Sequence, residues 1–182
     1  MNIPKINITS FQLLIRTYKL SDAPSLFQVV AANKDILADY FPLSVEQNTS
    51  VMNTRKYILQ RNKDRNEGKS LFAGIFLKDQ NILIGQICIK DINWRVPKCD
   101  MGYFLDKKYF QKGLGSEALL LFSDYCFQKL EFAKITLRIE PKNIASKKLA
   151  QKCGFELLGI SKNDFRSSDG RLMECELWEK VG

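Results

Sequence analysis

Apolar residues recur along this chain with two different periods, and each period predicts its own type of element. Short runs rich in β-branched and aromatic residues predict strands near residues 13–18, 71–77, 82–90, 99–105, 134–139, 155–162 and 171–179. Apolar spacings of three and four predict helices at about residues 22–33, 51–67, 115 onward and 143–152. Because helices and strands do not strictly alternate, we expect an antiparallel front half and a βαβ-like back half.

Length and composition indicate one globular domain spanning residues 1–182, with 45% hydrophobic and 26% charged residues. No apolar run approaches the roughly 18 to 20 residues of a membrane span. The first ten residues lack the basic start and apolar centre of a signal peptide. We therefore expect a cytoplasmic protein with no membrane partner.

The chain contains no histidine, which restricts its chemistry. Neither a Ser-His nor a Cys-His nucleophile can exist, and no metal can be held by imidazole. The five cysteines form no C-x-x-C pair; they are Cys88, Cys99, Cys126, Cys153 and Cys175. We expect no metal site, and proton transfer must use carboxylates, hydroxyls, water or the backbone.

Two glycines, Gly113 and Gly115, join a predicted buried strand to a predicted helix. The first N–H groups of a helix lack partners within it, and the helix dipole adds roughly half a positive charge there. The turn therefore predicts an anion site, with Lys107, Lys108 and Lys112 as nearby cations. The spacing matches neither the nucleotide phosphate loop nor the dinucleotide fingerprint. A purely structural strand-to-helix turn stays open at this point.

Residues 107–118 resemble the acyl-CoA-binding motif of the GNAT N-acetyltransferases. That motif has Arg or Gln, two variable residues, Gly, one variable residue, then Gly or Ala. Gly113, Leu114 and Gly115 match its second half, whereas its first position falls on Phe110, with Gln111 one residue late.

A second block, residues 135–155, resembles the next GNAT block: a strand, then Asn-x-x-Ser opening a helix that ends in Gly-Phe. Shorter matches at residues 14–16, 22–27, 84–85 and 101–103 extend the resemblance over nearly the whole chain. It looks most like the RimJ/RimL-like branch, the ribosomal-protein N-terminal acetyltransferases. The resemblance implies an α/β (α+β) GNAT fold. Its mixed, mostly antiparallel twisted sheet would have six to seven strands, splayed central parallel strands and about four flanking helices.

The cofactor implied by this resemblance is acetyl-CoA. Its pantetheine would lie between strands 99–105 and 134–139, and its pyrophosphate would rest on N–H groups of residues 113–117. The implied cofactor contacts are Phe104, Leu105, Gln111, Lys112, Gly113, Leu114, Gly115, Ser116, Glu117, Asn143 and Ser146. Asn143 can equally be only the N-cap of its helix, and Glu117 can simply stabilise the positive end of its own.

Two residues are candidates for catalysis. Many family members carry a tyrosine acid in the second conserved helix; this chain has none there, and Ser146 is the nearest substitute. Asp164 matches the position where RimJ/RimL-like proteins can carry an acidic residue facing the acceptor amine. Each has a structural alternative, because Ser146 can help cap its helix, while Asp164 and Asp169 can be turn residues of a polar hairpin.

The acceptor is expected to be a primary amine, held by the first two helices and the loops around the groove. Tyr40, Phe41 and Trp94 are the candidate contacts, with core packing as the alternative for each. The net charge of +8 makes a polycationic acceptor a poor match, so a protein or peptide N-terminal α-amine is favoured.

Basic residues are concentrated in the two motif blocks, since residues 105–152 hold ten Lys or Arg against five Asp or Glu. A nucleic-acid surface is disfavoured because these cations are not interleaved with a stacking set or a recognition helix. We predict acetyl transfer by direct attack in a ternary complex. An acyl-CoA-binding sensor or partner module without efficient transfer, and an acetyltransferase for a polyamine or antibiotic, stay open. So do the monomer and the homodimer.

Overall fold

A computed structural model describes residues 2–167 and 170–182. These residues form eight strands and six α-helices, in the order β1 (Asn7–Thr9), β2 (Leu13–Thr17), α1 (Ala23–Ala32), α2 (Lys34–Tyr40), α3 (Pro42–Gln47), α4 (Val51–Asn66), β3 (Leu71–Leu77), β4 (Ile82–Asn93), β5 (Lys98–Leu105), α5 (Leu114–Gln128), β6 (Lys134–Ile139), α6 (Ile144–Lys152), β7 (Glu156–Arg166) and β8 (Leu172–Val181). Single 3-10 turns occur at Leu20–Asp22 and Lys107–Tyr109. Asp169, which was considered as a turn residue, lies outside the described residues.

The strands form one sheet in the order β1-β2-β3-β4-β5-β6-β8-β7. Every neighbouring pair is antiparallel except β5 and β6, which are parallel. The β5–β6 pairing runs only from Lys98 opposite Lys134 to Met101 opposite Leu137, although both strands continue. The two central strands therefore separate toward their carboxyl ends. This confirms the predicted fold class, a mixed and mostly antiparallel sheet with splayed central parallel strands.

Hydrophobic cores lie on both faces of this sheet. One core includes Phe122 of α5 and Leu137 of β6. The other joins Leu26 of α1 and Ile58 of α4 to Phe76 of β3. Because successive residues of a strand point to opposite faces, β3, β4 and β5 contribute to both cores, whereas the buried residues of β6 all belong to the first.

Three elements exceed the predicted numbers of six to seven strands and about four helices: β1, α2 and α3. They are only three, seven and six residues long, too short for a periodic apolar pattern to emerge. The predicted first helix ends at Asn33, and the chain continues directly into α2. Phe41, at φ −135°, then breaks the helical path, and Pro42 begins α3.

The junction between α1 and α2 is tied to the loop that precedes α5. The side chain of Asn33 is buried, and its amide donates to Val29 O at 2.8 Å. Its Oδ1 accepts from the backbone N–H of Lys107 at 2.9 Å. This link fixes the first helices against the carboxyl end of β5. In the described part of the chain, no helix is long and apolar enough to cross a membrane.

Candidate active site

A cavity of about 1210 Å³ lies where β5 and β6 separate. Its walls come from β5 and β6, the start of α5, α6, the α2–α3 region and the bulged part of β7. Ligand sites typically measure roughly 300 to 1,000 Å³, so this cavity has room for a cofactor and an acceptor together.

The structure brings most of the sequence-predicted site residues to this cavity. Those that line it are Tyr40, Phe41, Phe104, Leu105, Gln111, Gly113, Gly115, Ser116, Asn143, Ser146 and Asp164. Trp94, Lys112, Leu114 and Glu117 are not among the described residues that line it. The cofactor and catalytic candidates thus converge from elements far apart in the sequence.

Gly113 presents open backbone at the start of α5. It is the N-cap residue, in the left-handed region at φ 77° and ψ −12°, and no side chain caps the helix. A Cβ built on it would meet no atom within 4 Å. The helix's first N–H groups therefore face free space beside the cavity, which suits an anion such as the pyrophosphate of the predicted cofactor.

Gly115 has a different reason for lacking a side chain. A Cβ at this position would lie 2.7 Å from Leu149 Cδ1 of α6. Close packing of α5 on α6 therefore favours glycine here, and an added methyl group would force the end of the Leu149 side chain to move. Gly115 also lines the cavity, so its predicted cofactor contact stays a prediction, as does that of Gly113.

Glu117 is turned away from the cavity, and its predicted cofactor contact is wrong. Its backbone N–H donates to Gly113 O at 3.1 Å. Its carboxylate accepts from Ser10 Oγ at 2.6 Å and from the backbone N–H of Gln12 at 2.8 Å. Glu117 thus joins α5 to the β1–β2 turn, and its role is structural.

The side chains of Leu114 and Lys112 also lie away from the cavity. Leu114 is 3% exposed and belongs to the core under α5, so its predicted cofactor contact stays a prediction for its backbone alone. The Lys112 ammonium lies 5.3 Å from the centre of the Tyr109 ring. Leu114 can contribute only its backbone N–H to an anion.

Of the three predicted acceptor contacts, Tyr40 and Phe41 line the cavity and Trp94 does not. The Trp94 indole N–H donates to Gly68 O at 2.9 Å, and its ring stacks on Phe132 at 5.2 Å. The sequence analysis gave Trp94 as an acceptor contact near the groove, with core packing as the alternative, and the ring is engaged in packing. The prediction for Trp94 is wrong.

A polar contact marks the end of the cavity near α2. The Tyr40 hydroxyl interacts with Glu140, which follows β6. Burial and this carboxylate together raise the pKa of Tyr40 to about 12. Both residues line the cavity, so its walls are not purely apolar at this end.

Asn143 caps α6, as its residue type predicted. Its Oδ1 accepts from the backbone N–H of Ser146 at 3.1 Å. The bond fixes the first turn of α6, so that Ser146 lines the cavity. Its cofactor contact stays a prediction.

Tyr103 of β5 is a cavity residue that the sequence analysis missed. Its hydroxyl is buried and lies beside the Ser146 hydroxyl. Burial raises the pKa of Tyr103 to about 12, although the interaction with Ser146 opposes the rise. Because Tyr103 lies in an apolar strand, the sequence did not indicate that its hydroxyl would lie beside that of Ser146 across the opening between β5 and β6.

Asp164 enters the cavity through an irregularity in β7. The pairing of β7 with β8 shifts between Ser161 and Phe165, and Asn163 takes a positive φ of 54°. Such bulges re-aim side chains. The Asp164 side chain is 6% exposed, which excludes the alternative of a solvated turn residue.

Arg138 of β6 holds Asp164 in place. Its guanidinium donates to Asp164 Oδ1 and also to Asp100 Oδ2 on β5. Burial lowers the pKa of Arg138, but the two carboxylates outweigh that effect and raise it. Asp164 Oδ2 is buried and forms no hydrogen bond of normal geometry within residues 2–167 and 170–182, although the Cys175 thiol lies beside this carboxylate. One oxygen of Asp164 thus remains available to a ligand.

Comparisons with known proteins agree with this geometry. A family model described as "Acetyltransferase (GNAT) domain" matches residues 12–156. The chain therefore belongs to the GNAT acetyltransferase family. This confirms the predicted resemblance and the predicted enzyme class, an acetyl-CoA-dependent acyltransferase.

Individual relatives are ribosomal-protein acetyltransferases. The chain is 26% identical over 171 residues to the [ribosomal protein uS5]-alanine N-acetyltransferase of Escherichia coli, covering 93% of this chain and 88% of the relative. Among solved structures, the ribosomal-protein-S5-alanine acetyltransferase of Vibrio fischeri is similar with a TM-score of 0.87, at 21% identity, covering 97% and 96% of the two chains. RimL, a ribosomal L7/L12 α-N-protein acetyltransferase solved with coenzyme A, has a TM-score of 0.86 at 23% identity, covering 97% of each chain. The predicted RimJ/RimL-like resemblance is thereby confirmed.

Proposed function

We propose that this chain, as one domain of residues 1–182, transfers an acetyl group from acetyl-CoA to the N-terminal α-amine of a protein or peptide. The observation that carries the proposal is the opening between β5 and β6. The bare N–H groups of α5 lie on one side of it, and the free oxygen of Asp164 also faces the same cavity. A donor and an acceptor can therefore meet in one cavity.

The donor would be held chiefly by backbone groups. On the β6 side, β5 has no strand partner beyond Met101, so its peptide groups can bond the amides of an extended ligand. The start of α5 offers N–H groups to phosphate, and Lys148 and Lys152 of α6 also line the cavity. When bound, acetyl-CoA supplies a reactive thioester carbonyl and a thiolate leaving group.

Ser146 and Asp164 would carry the chemistry of the protein itself. The Ser146 hydroxyl, from a residue that lines the cavity, would donate a hydrogen bond to the departing sulfur. The free Oδ2 of Asp164 can accept a proton from the amine, directly or through water. An α-amine has an ordinary pKa of about 7.7 to 8.0, so a weak base suffices near neutral pH. The amine nitrogen would then form a bond to the carbonyl carbon of acetyl-CoA, and CoA would leave as its thiolate.

The choice of acceptor rests on charge and on the relatives. Among the described residues six Lys or Arg and four Asp or Glu line the cavity, and this excess of positive charge disfavours a polyamine. The relatives named above act on ribosomal proteins according to their names. A protein or peptide amine fits both observations.

The test compares peptides that differ only at the N-terminus. Purified protein is incubated with acetyl-CoA and peptides that begin with Ala or Ser, each with a free or a pre-acetylated N-terminus, and with spermidine. Thiol release and mass spectrometry measure transfer. We expect turnover only with free N-termini. Stabilisation by acetyl-CoA without turnover on any amine would favour the acyl-CoA sensor. Turnover on spermidine alone would favour an acetyltransferase for small-molecule amines.

Two carboxylate variants test the role of Asp164. Loss of a general base typically costs about 100-fold or more in rate, and we expect a fall of that size in kcat/KM for Asp164→Asn. Asp100→Asn is the matched control, because it removes the other carboxylate bound to Arg138. We expect it to be much less impaired. Equal losses in both variants would attribute the effect to the ion pairs of Arg138 and not to a base.

A further inference from the structure

Tyr103 carries a buried hydroxyl that has no hydrogen-bond partner among the described residues. The residue lies on β5 two positions beyond Met101, where pairing with β6 has ended, and its ring packs against the core under α5. The hydroxyl is buried, yet it forms no hydrogen bond of normal geometry with residues 2–167 or 170–182. A buried hydroxyl without a partner costs about 1 to 3 kcal/mol, which indicates a polar role in the cavity.

The neighbour of this hydroxyl is Ser146. The two side chains lie on opposite walls of the opening, Tyr103 on β5 and Ser146 in the first turn of α6. The backbone of Ser146 is fixed by the Asn143 cap at 3.1 Å. The cap fixes the backbone but leaves the serine hydroxyl free to rotate between rotamers. A second hydroxyl at close range can select one of them.

We propose that Tyr103 is a positioning residue that orients the Ser146 hydroxyl toward the sulfur of the departing CoA. This inference rests on the proposed acetyl transfer and adds a residue to it. In the complex with donor and acceptor the Tyr103 O–H would donate to Ser146 Oγ, a bond that is not formed among the described residues, so that the Ser146 O–H would donate to the sulfur as the carbon–sulfur bond breaks. The amine nitrogen forms the new bond to carbon, and its proton leaves to Asp164 or water. No proton leaves Tyr103.

Keeping the proton on Tyr103 is consistent with its surroundings. Burial raises the pKa of Tyr103 to about 12 despite the opposing effect of Ser146, so the phenol is neutral near neutral pH. A neutral phenol donates one hydrogen bond and retains acceptor capacity. It can therefore bond Ser146 without competing for the proton that catalysis moves.

Three variants separate positioning from packing. Tyr103→Phe removes the hydroxyl and keeps the ring, Ser146→Ala removes its partner, and a third variant combines both changes. Tyr125→Phe is the matched control. It also removes a phenol hydroxyl, but Tyr125 lies in α5 and is not one of the described residues that line the cavity. Each protein is assayed for kcat and KM with the best peptide acceptor, and for its unfolding temperature with and without acetyl-CoA.

We expect Tyr103→Phe to lower kcat about tenfold, the effect of one hydrogen bond, without changing KM for acetyl-CoA. Its unfolding temperature should not fall, because the lost hydroxyl had no normal partner. The double variant should be no slower than Ser146→Ala alone, within about twofold. Tyr125→Phe should match the wild type.

Three results would overturn the inference. They are unchanged kcat in Tyr103→Phe, a double variant slowed by the product of the single effects, and a rise in KM for acetyl-CoA with kcat preserved. The last would make Tyr103 a cofactor contact. Failure of the proposed function looks different, because the wild type would then show no transfer to any peptide N-terminus.

Discussion

Alanine substitutions at the two glycines of the α5 turn should separate cofactor binding from stability. Gly113 is at φ 77°, where a residue with a Cβ is strained by about 1 kcal/mol. No atom lies within 4 Å of the added Cβ, so no clash adds to that strain. For a chain of this size we expect Gly113→Ala to lower the unfolding temperature by about 2 to 4 °C.

Binding should suffer more than stability in this variant. The new methyl group would lie beside the first N–H groups of α5, where an incoming phosphate must approach. Losing one hydrogen bond to a charged group costs about 1.5 to 3 kcal/mol. The dissociation constant for acetyl-CoA should therefore rise at least about tenfold.

Gly115→Ala should affect the stability of the chain more than its binding of acetyl-CoA. Its Cβ would lie 2.7 Å from Leu149 Cδ1, and overpacking of this kind costs about 1 to 3 kcal/mol. Replacing glycine in a helix regains up to about 1 kcal/mol. In a Leu149→Ala background the clash is gone, so the same change should become neutral or stabilising.

Urea unfolding measures the stability of these variants, and titration calorimetry with acetyl-CoA measures binding. The reasoning is refuted if Gly113→Ala binds acetyl-CoA as tightly as the wild type, because the start of α5 would then not hold the pyrophosphate. It also fails if Gly115→Ala destabilises the chain equally with and without Leu149.

Two further predictions concern stability. Gly85→Ala should destabilise the chain by about 3 kcal/mol or more in urea unfolding. The added Cβ would lie 2.2 Å from the backbone oxygen of Phe104, which cannot rotate away. An effect below about 1 kcal/mol would contradict this prediction. Burial raises the pKa of Glu117, but hydrogen bonds from Ser10 and Gln12 outweigh it and hold it below its usual value. Glu117→Ala should therefore lower the free energy of unfolding by about 1 kcal/mol at pH 7. The difference in stability between variant and wild type should shrink as the pH falls through the lowered pKa of Glu117. A difference that does not depend on pH would refute the role of the carboxylate.

Much of the fold was predictable because the longer helices and strands contain enough residues to show the apolar spacing of their type. Strands β3 and β6 were predicted with the bounds that the structure shows, and α4 ends within one residue of its prediction. The short elements β1, α2 and α3 were missed. Their limits depend on single backbone angles, such as that of Phe41, which no hydrophobic pattern encodes.

The site was predictable only where the motif is local in sequence. Gly113 and Asn143 act within their own turns, so their residue types and spacing were informative. The Tyr103–Ser146 contact joins a strand to a helix more than 40 residues later and left no sequence signal. Trp94 was misassigned because exposure and packing of an aromatic ring cannot be told apart in a sequence.

The position of Arg138 links the opening between β5 and β6 to the two buried carboxylates, Asp100 and Asp164. It is the first residue of β6 beyond the last pair with β5, so its side chain lies where backbone pairing has just been lost. From there it bonds Asp100 on one neighbouring strand and Asp164 on β7. Two carboxylates this deep in the cavity would repel each other without a cation between them. Because Arg138 engages only Oδ1 of Asp164, the same contact that allows the carboxylate to be buried leaves Oδ2 without a hydrogen bond among the described residues, as the proposed role of Asp164 requires.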